Sequence, residues 1–204
     1  MGDISFKGYH GTCSWEEQSI ESKGLDPQAT KYRKDHWLGQ GVYFFENIEQ
    51  AKWWAAMQSE KRSSSWSIIY QADILADKSQ VLNLDNNDEL EDFLNVIRRN
   101  LELINLLAKD KKEGYPIFTP SKFSSVFFDY YKEKYGIKII IYSFIKDYVR
   151  YTANFPIDKN DISIQKALCN TLGIYFKEKQ LCVSDKACIR NRKKVYDGRE
   201  AEII

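Results

Sequence analysis

Two short blocks in this 204-residue chain carry the residue types best suited to holding a ligand: Tyr9-His10-Gly11-Thr12, then Gly39-Gln40-Gly41-Val42-Tyr43-Phe44. A His-Gly step at the end of a strand sets a hydrogen-bonding imidazole beside backbone groups that no side chain shields. A tyrosine on a strand entered through Gly-x-Gly presents a flat ring, and Thr12 adds a hydroxyl. The contacts on offer are bare backbone amides, hydrogen-bonding side chains and a flat ring. Each block alone is ordinary, because His-Gly pairs and Gly-x-Gly are common and a tyrosine can equally be core filler. Their order and spacing, with Trp54 following, raise the signal.

The elements that must position these residues can be read from period and punctuation. Ile4–Tyr9 reads as a strand ending at His10, and Trp15–Lys23 as a helix with Ser14 as N-cap and Gly24 past its end. Residues 26–38 carry no apolar period and read as a loop. Val42–Phe45 is a short strand, and Asn47 caps a helix from Ile48 to about Arg62, with Gln50 at its third position as in a capping box. Strands follow at Trp66–Leu75 and Gln80–Leu84. The helical period runs from Asp88 to about Lys111, and a further helix from Ser121 to Tyr135, stopped by Gly136. Ile137–Ile145 is the most apolar strand in the chain. More strand signal lies at Tyr148–Asn154, at Ile174–Val183 and around Val195, with a helix at Ile162–Leu172.

Strand and helices come first and strands gather toward the C-terminus, an α+β order with much antiparallel pairing. No repeat or linker divides residues 1–204, which read as a single domain. Hydrophobic content of 43% suits a folded globule, and a net charge of +1 excludes a wholesale polyanion binder while leaving room for a local basic patch. No apolar run approaches the roughly 18–20 residues of a membrane span. With no signal-peptide pattern at the start, the expected location is the cytoplasm. Four cysteines without C-x-x-C spacing and only two histidines, His10 and His36, read as reduced thiols and no metal site.

The stretch Gly39–Ala55 resembles the poly(ADP-ribose) polymerase pattern of the ADP-ribosyltransferase superfamily, the His-Tyr-Glu type, in which Gly-x-Gly-Ile-Tyr-Phe precedes a helix bearing a second ring. The resemblance implies two packed, mainly antiparallel sheets forming an NAD cleft, here with a helical insertion at about 88–135. It implies NAD+ as co-substrate and no metal. His10 and Gly11 match the family's His-Gly, with His10 on the adenosine ribose and Gly11 and Thr12 at the carboxamide. Tyr43 and Trp54 match its stacking rings. Ala51 stands where the family has a serine hydroxyl, and Lys31, Arg33 and Lys34 fall in the family's donor loop, where Arg33 would reach the pyrophosphate.

The family's late-strand glutamate aligns with Gln180, a departure, while Glu178 lies two residues earlier on the same strand face. A glutamine holds a hydroxyl but carries no charge, which disfavours polymer synthesis and leaves mono-ADP-ribosyl transfer. The resemblance is to small stand-alone transferases of the toxin or antiviral-effector kind, and implies an antitoxin protein as a partner. The basic residues Arg190, Arg192, Lys193 and Lys194, just beyond the presumed catalytic strand, place RNA or DNA beside protein as the acceptor. The alternative is an inactive module of the same fold that binds NAD, ADP-ribose or a partner protein.

Overall fold

The computed structural model describes residues 2–29, 36–100, 120–146 and 159–201. In chain order these form β1 (Asp3–Cys13), α1 (Glu17–Lys23), β2 (Val42–Phe45), α2 (Ile48–Ser59), β3 (Ser67–Asp77), β4 (Val81–Asn83) and α3 (Asn87–Arg99). There follow α4 (Pro120–Tyr135), β5 (Ile139–Lys146), α5 (Lys159–Leu172), β6 (Phe176–Val183), β7 (Ile189–Asp197) and a closing turn of helix, α6 (Gly198–Ala201). The α+β class holds. The strand expected at Tyr148–Asn154 and the helical period beyond residue 100 lie outside the described residues.

The strands join in one seven-stranded mixed sheet, order β4-β5-β6-β2-β1-β3-β7, where two packed sheets were expected. All neighbours are antiparallel except β4 and β5. Its two halves are nonetheless thinly joined. β1 pairs with β3 at every position from Asp3–Asp77 to Cys13–Ser67, but meets β2 at one bridged position, Tyr9–Phe45.

Alternation along the strands sorts the core into layers. Ile139 and Ile141 of β5, with Leu181 and Val183 of β6, face one side with Phe44, Tyr70 and Ile20 of α1. Ile140 and Cys182 face the other, where Phe93 and Ile97 of α3 and Val126 and Tyr131 of α4 cover them. Such unbroken apolar runs are what strands buried on both faces require. Helices α3 and α4 meet through Phe93, stacked 5.1 Å from Phe128 and edge-on to Tyr131 at 5.0 Å. α2 lies over β1 and β3 on the same face as α3 and α4, burying Ala51 and Ala55 against Ile69 and Phe45.

Candidate functional site

The site begins where β1 and β2 part. Beyond Tyr9, alternate residues of β1 aim backbone groups at the gap instead of at a neighbouring strand. His10 spans that gap, its Nδ1 donating to the Tyr43 carbonyl oxygen at 2.9 Å. A carbonyl only accepts, so Nδ1 carries the proton and Nε2 of the neutral ring is an acceptor. Burial pushes the imidazole below its ordinary range, opposed by the Tyr43 bond and the negative charge of Glu16. A buried neutral histidine contributes stability that is complete above its unfolded pKa of about 6.5 and declines as pH falls toward the lowered folded value. Denaturant melts should therefore stay level from pH 8 to about pH 7 and lose stability as pH falls below about 6.5, and His10→Asn should flatten that slope. An unchanged slope in the variant would assign the effect elsewhere.

Gly11 has a structural reason for its missing side chain. A Cβ there would collide with the carbonyl oxygen of Ala51, so α2 reaches β1 only because both positions are small. The same approach carries Trp54 toward the gap. Ala51 is fully buried in this contact.

The Gly39-Gln40-Gly41 turn is clamped from α4, across some ninety residues of sequence. Gln40 N donates to Asp129 Oδ1 at 2.8 Å, and Lys132, only 7% exposed, donates to the Gln40 carbonyl at 2.7 Å. Ser125 Oγ donates to the other Asp129 oxygen at 2.7 Å, while Lys132 Nζ lies 3.5 Å from Cys182 Sγ. The turn in return fixes Tyr43, whose hydroxyl donates to the Gly39 carbonyl and accepts from Leu38 N, both at 2.8 Å. Burial, and next the adjacent Cys182, push the Tyr43 phenol far above its ordinary range, so it stays a neutral donor. Sequence reasoning missed Ser125, Asp129 and Lys132, because nothing local marks a helix residue as the partner of a distant turn. Lys132→Met should destabilise the fold by about 1.5–3 kcal/mol, the value of hydrogen bonds to a charged group. A denaturant midpoint at the wild-type value would show that the clamp is idle.

At the seam lies a cavity of about 540 Å³ lined by His10, Gly11, Thr12, Tyr43, Trp54 and Gln180, residues spread over most of the chain. The volume is in the range of small-molecule sites. Glu16, Asp26, His36, Trp37 and Gln58 also line it, none of which the sequence singled out. Gln180 is 2% exposed and pairs in register with Phe45 and Tyr142. Glu178 shares its strand face, as expected, but is 4% exposed, stands opposite Phe144 and is not part of the cavity wall. Arg33, with Lys31 and Lys34, lies outside the described residues.

The basic run on β7 sits apart from Gln180 on β6. Three strands, β2, β1 and β3, lie between β6 and β7. Arg192 Nη2 is 3.1 Å from Glu21, and Lys194 Nζ is 2.7 Å from Glu17 and 3.1 Å from Asp197, tying β7 to α1. Arg190 and Lys193 are exposed. The expected basic patch is thus half committed to internal ion pairs.

All four cysteines are buried and unbridged. Among the described residues no group of three or more His, Cys, Asp or Glu is placed to hold a metal ion, and no helix is long and apolar enough to cross a membrane. No family model matches the chain. The chain is similar to an uncharacterized protein of Methanocaldococcus jannaschii, 28% identical over 135 residues that span 56% of this chain and 62% of the relative.

Proposed function

We propose that this chain has an ADP-ribosyltransferase-like fold and is a mono-ADP-ribosyltransferase, moving ADP-ribose from NAD+ to a macromolecular acceptor. The observation that carries the reading is the convergence of His10, Gly11, Thr12, Tyr43, Trp54 and Gln180 on one cavity at the seam of the sheet. In this reading the nicotinamide ring lies between Tyr43 and Trp54, where stacking and cation–π attraction contribute about 0.5–2 kcal/mol. The carboxamide meets the backbone near Gly11, and His10 Nε2 accepts from a ribose hydroxyl. Cleavage breaks the bond from nicotinamide N1 to the ribose anomeric carbon. Nicotinamide leaves with the bonding pair, and positive charge develops on the sugar. Gln180 holds the adjacent hydroxyl without supplying charge, which suits single transfer better than chain elongation. The resemblance extends the reading to a cytoplasmic toxin or antiviral effector restrained by an antitoxin.

The test is calorimetry with NAD+ followed by incubation of labelled NAD+ with cell extract and separate protease and nuclease digestion. Tyr43→Ala should weaken NAD+ binding several-fold or more. A folded Tyr43→Ala protein with wild-type affinity would remove the stacking arrangement.

One observation favours a second reading: β6 brings only the uncharged Gln180 to the cavity wall, with Glu178 held outside it. A module that binds NAD or ADP-ribose without turnover would look the same. Binding without nicotinamide release or label transfer would select it.

A further inference from the structure

We propose that an aromatic shelf beside Gln180, formed by Trp37, Phe144 and Tyr142, binds a nucleobase of single-stranded nucleic acid and presents it as the acceptor. The acceptor role rests on the transferase reading; the shelf as a nucleobase site does not.

Trp37 lines the cavity yet is 44% exposed. Its ring stands 6.0 Å from Trp54, edge-on, and 5.4 Å from Phe144, whose ring meets Tyr142 edge-on at 4.9 Å. Register fixes where this surface lies. Tyr142 is paired with Gln180 and Phe144 with Glu178 on the neighbouring strand, so both rings share the face of Gln180. The rings therefore run unbroken from the cavity mouth to the residue assigned to the donor's ribose.

Charge at both ends narrows the occupant. Lys61 Nζ lies 6.0 Å from the Trp54 ring and Lys146 Nζ 5.8 Å from the Phe144 ring. Aromatic faces flanked by ammonium groups are the means by which proteins hold single strands, with bases stacked on rings and phosphates near cations. A duplex keeps its bases stacked on one another and offers the shelf no free face. Among the described residues, a carboxylate side chain of a protein acceptor would find flat apolar rings here and no guanidinium beside them.

The transfer balances without a further reactant. The bond from nicotinamide N1 to the anomeric carbon breaks, and nicotinamide leaves with the electron pair. A base nitrogen or its exocyclic amine forms the new bond to that carbon, and its proton is released to solvent.

The test titrates the full chain with a short mixed-sequence single-stranded oligodeoxynucleotide, the matching oligoribonucleotide and the duplex, read by anisotropy and tryptophan quenching. Single strands should bind more tightly than duplex. Trp37→Ala should weaken single-strand binding about 5- to 100-fold, with Trp37→Phe retaining most of it. Lys61→Ala should flatten the salt slope by about 0.7. Phe144→Ala is the second variant, expected to weaken binding in the same direction. Unchanged affinity in folded Trp37→Ala and Phe144→Ala proteins, or equal affinity for duplex, overturns the proposal. NAD+ binding by the wild-type chain is measured separately. Binding of NAD+ with label confined to protein, and no Trp37-dependent oligonucleotide binding, overturns the shelf and leaves the transferase reading standing. If NAD+ does not bind, the transferase reading and the acceptor role have failed, and the shelf as a nucleobase site stands or falls on Trp37-dependent oligonucleotide binding alone.

Discussion

If the proposed transferase reading holds, replacing Gln180 with glutamate is expected to raise nicotinamide release from NAD+ by about 10²- to 10³-fold, the range by which a preorganised electrostatic partner changes a rate. Gln180 is the one β6 residue that both lines the cavity and is almost wholly buried, so a carboxylate there would face the developing charge in a water-poor setting. The same setting supplies a second signature. Burial, with Glu178 two residues away on the same face, would raise the new carboxyl's pKa above its unfolded value of about 4.3. A carboxyl raised on folding is neutral in both states at low pH, and destabilises the fold as pH climbs from the unfolded toward the folded value. Gln180→Glu should therefore lose stability on that climb while its rate gains an ascending limb that the wild type lacks. Stopped assays of nicotinamide release from pH 5 to pH 9, alongside denaturant melts, check both. A wild-type rate with a flat profile would take position 180 out of the chemistry.

Gly11→Ala is expected to destabilise the protein by about 3 kcal/mol or more, at the upper end of overpacking substitutions. The colliding partner is the Ala51 carbonyl oxygen, which no rotamer can move aside, so either β1 or α2 must shift. Ala51→Gly should give no rescue, since the carbonyl remains. Gly136→Ala provides the contrast. Its φ is +66° with nothing within 4 Å of a new Cβ, so only the left-handed backbone penalty of about 1–2 kcal/mol applies. Paired urea melts would show the ranking, and a Gly11→Ala protein as stable as Gly136→Ala would mean that α2 yields more readily than its packing implies.

The site was legible in part. His10, Gly11, Thr12, Tyr43 and Trp54 stood out because short blocks of unusual residue types survive being read one-dimensionally, and all line one cavity. Glu178 and Gln180 were indistinguishable by strand parity. The difference arises from the wall of the cavity, which includes Gln180 and leaves Glu178 opposite Phe144. Trp37 went unnoticed because it sits in a polar stretch with no period. Its significance comes from rings contributed by α2 and β5. Counting charge on β7 likewise overstated its availability, because the matching carboxylates lie on α1, more than 170 residues away.

What the sequence determined by itself was local. β2 falls at Val42–Phe45 as read, and Asn47 caps α2 by accepting from Glu49 N, because caps and side-chain periods depend on neighbours a few residues apart. Even there, tertiary contact overrode one reading. Ser14 makes no cap bond; its hydroxyl is spent on Ser65 and on Trp66 N across a turn of β3's approach. β1 likewise runs past His10 to Cys13 because β3 pairs with it along its whole length. Only the folded chain decided the single sheet, its order, the thin Tyr9–Phe45 junction that opens the cavity, and the grip of α4 on the Gly39–Gly41 turn. Those contacts close loops of some 30 to 140 residues, and the residue types on either side are common. Their meeting is set by which buried faces and backbone groups the whole molecule must satisfy at once.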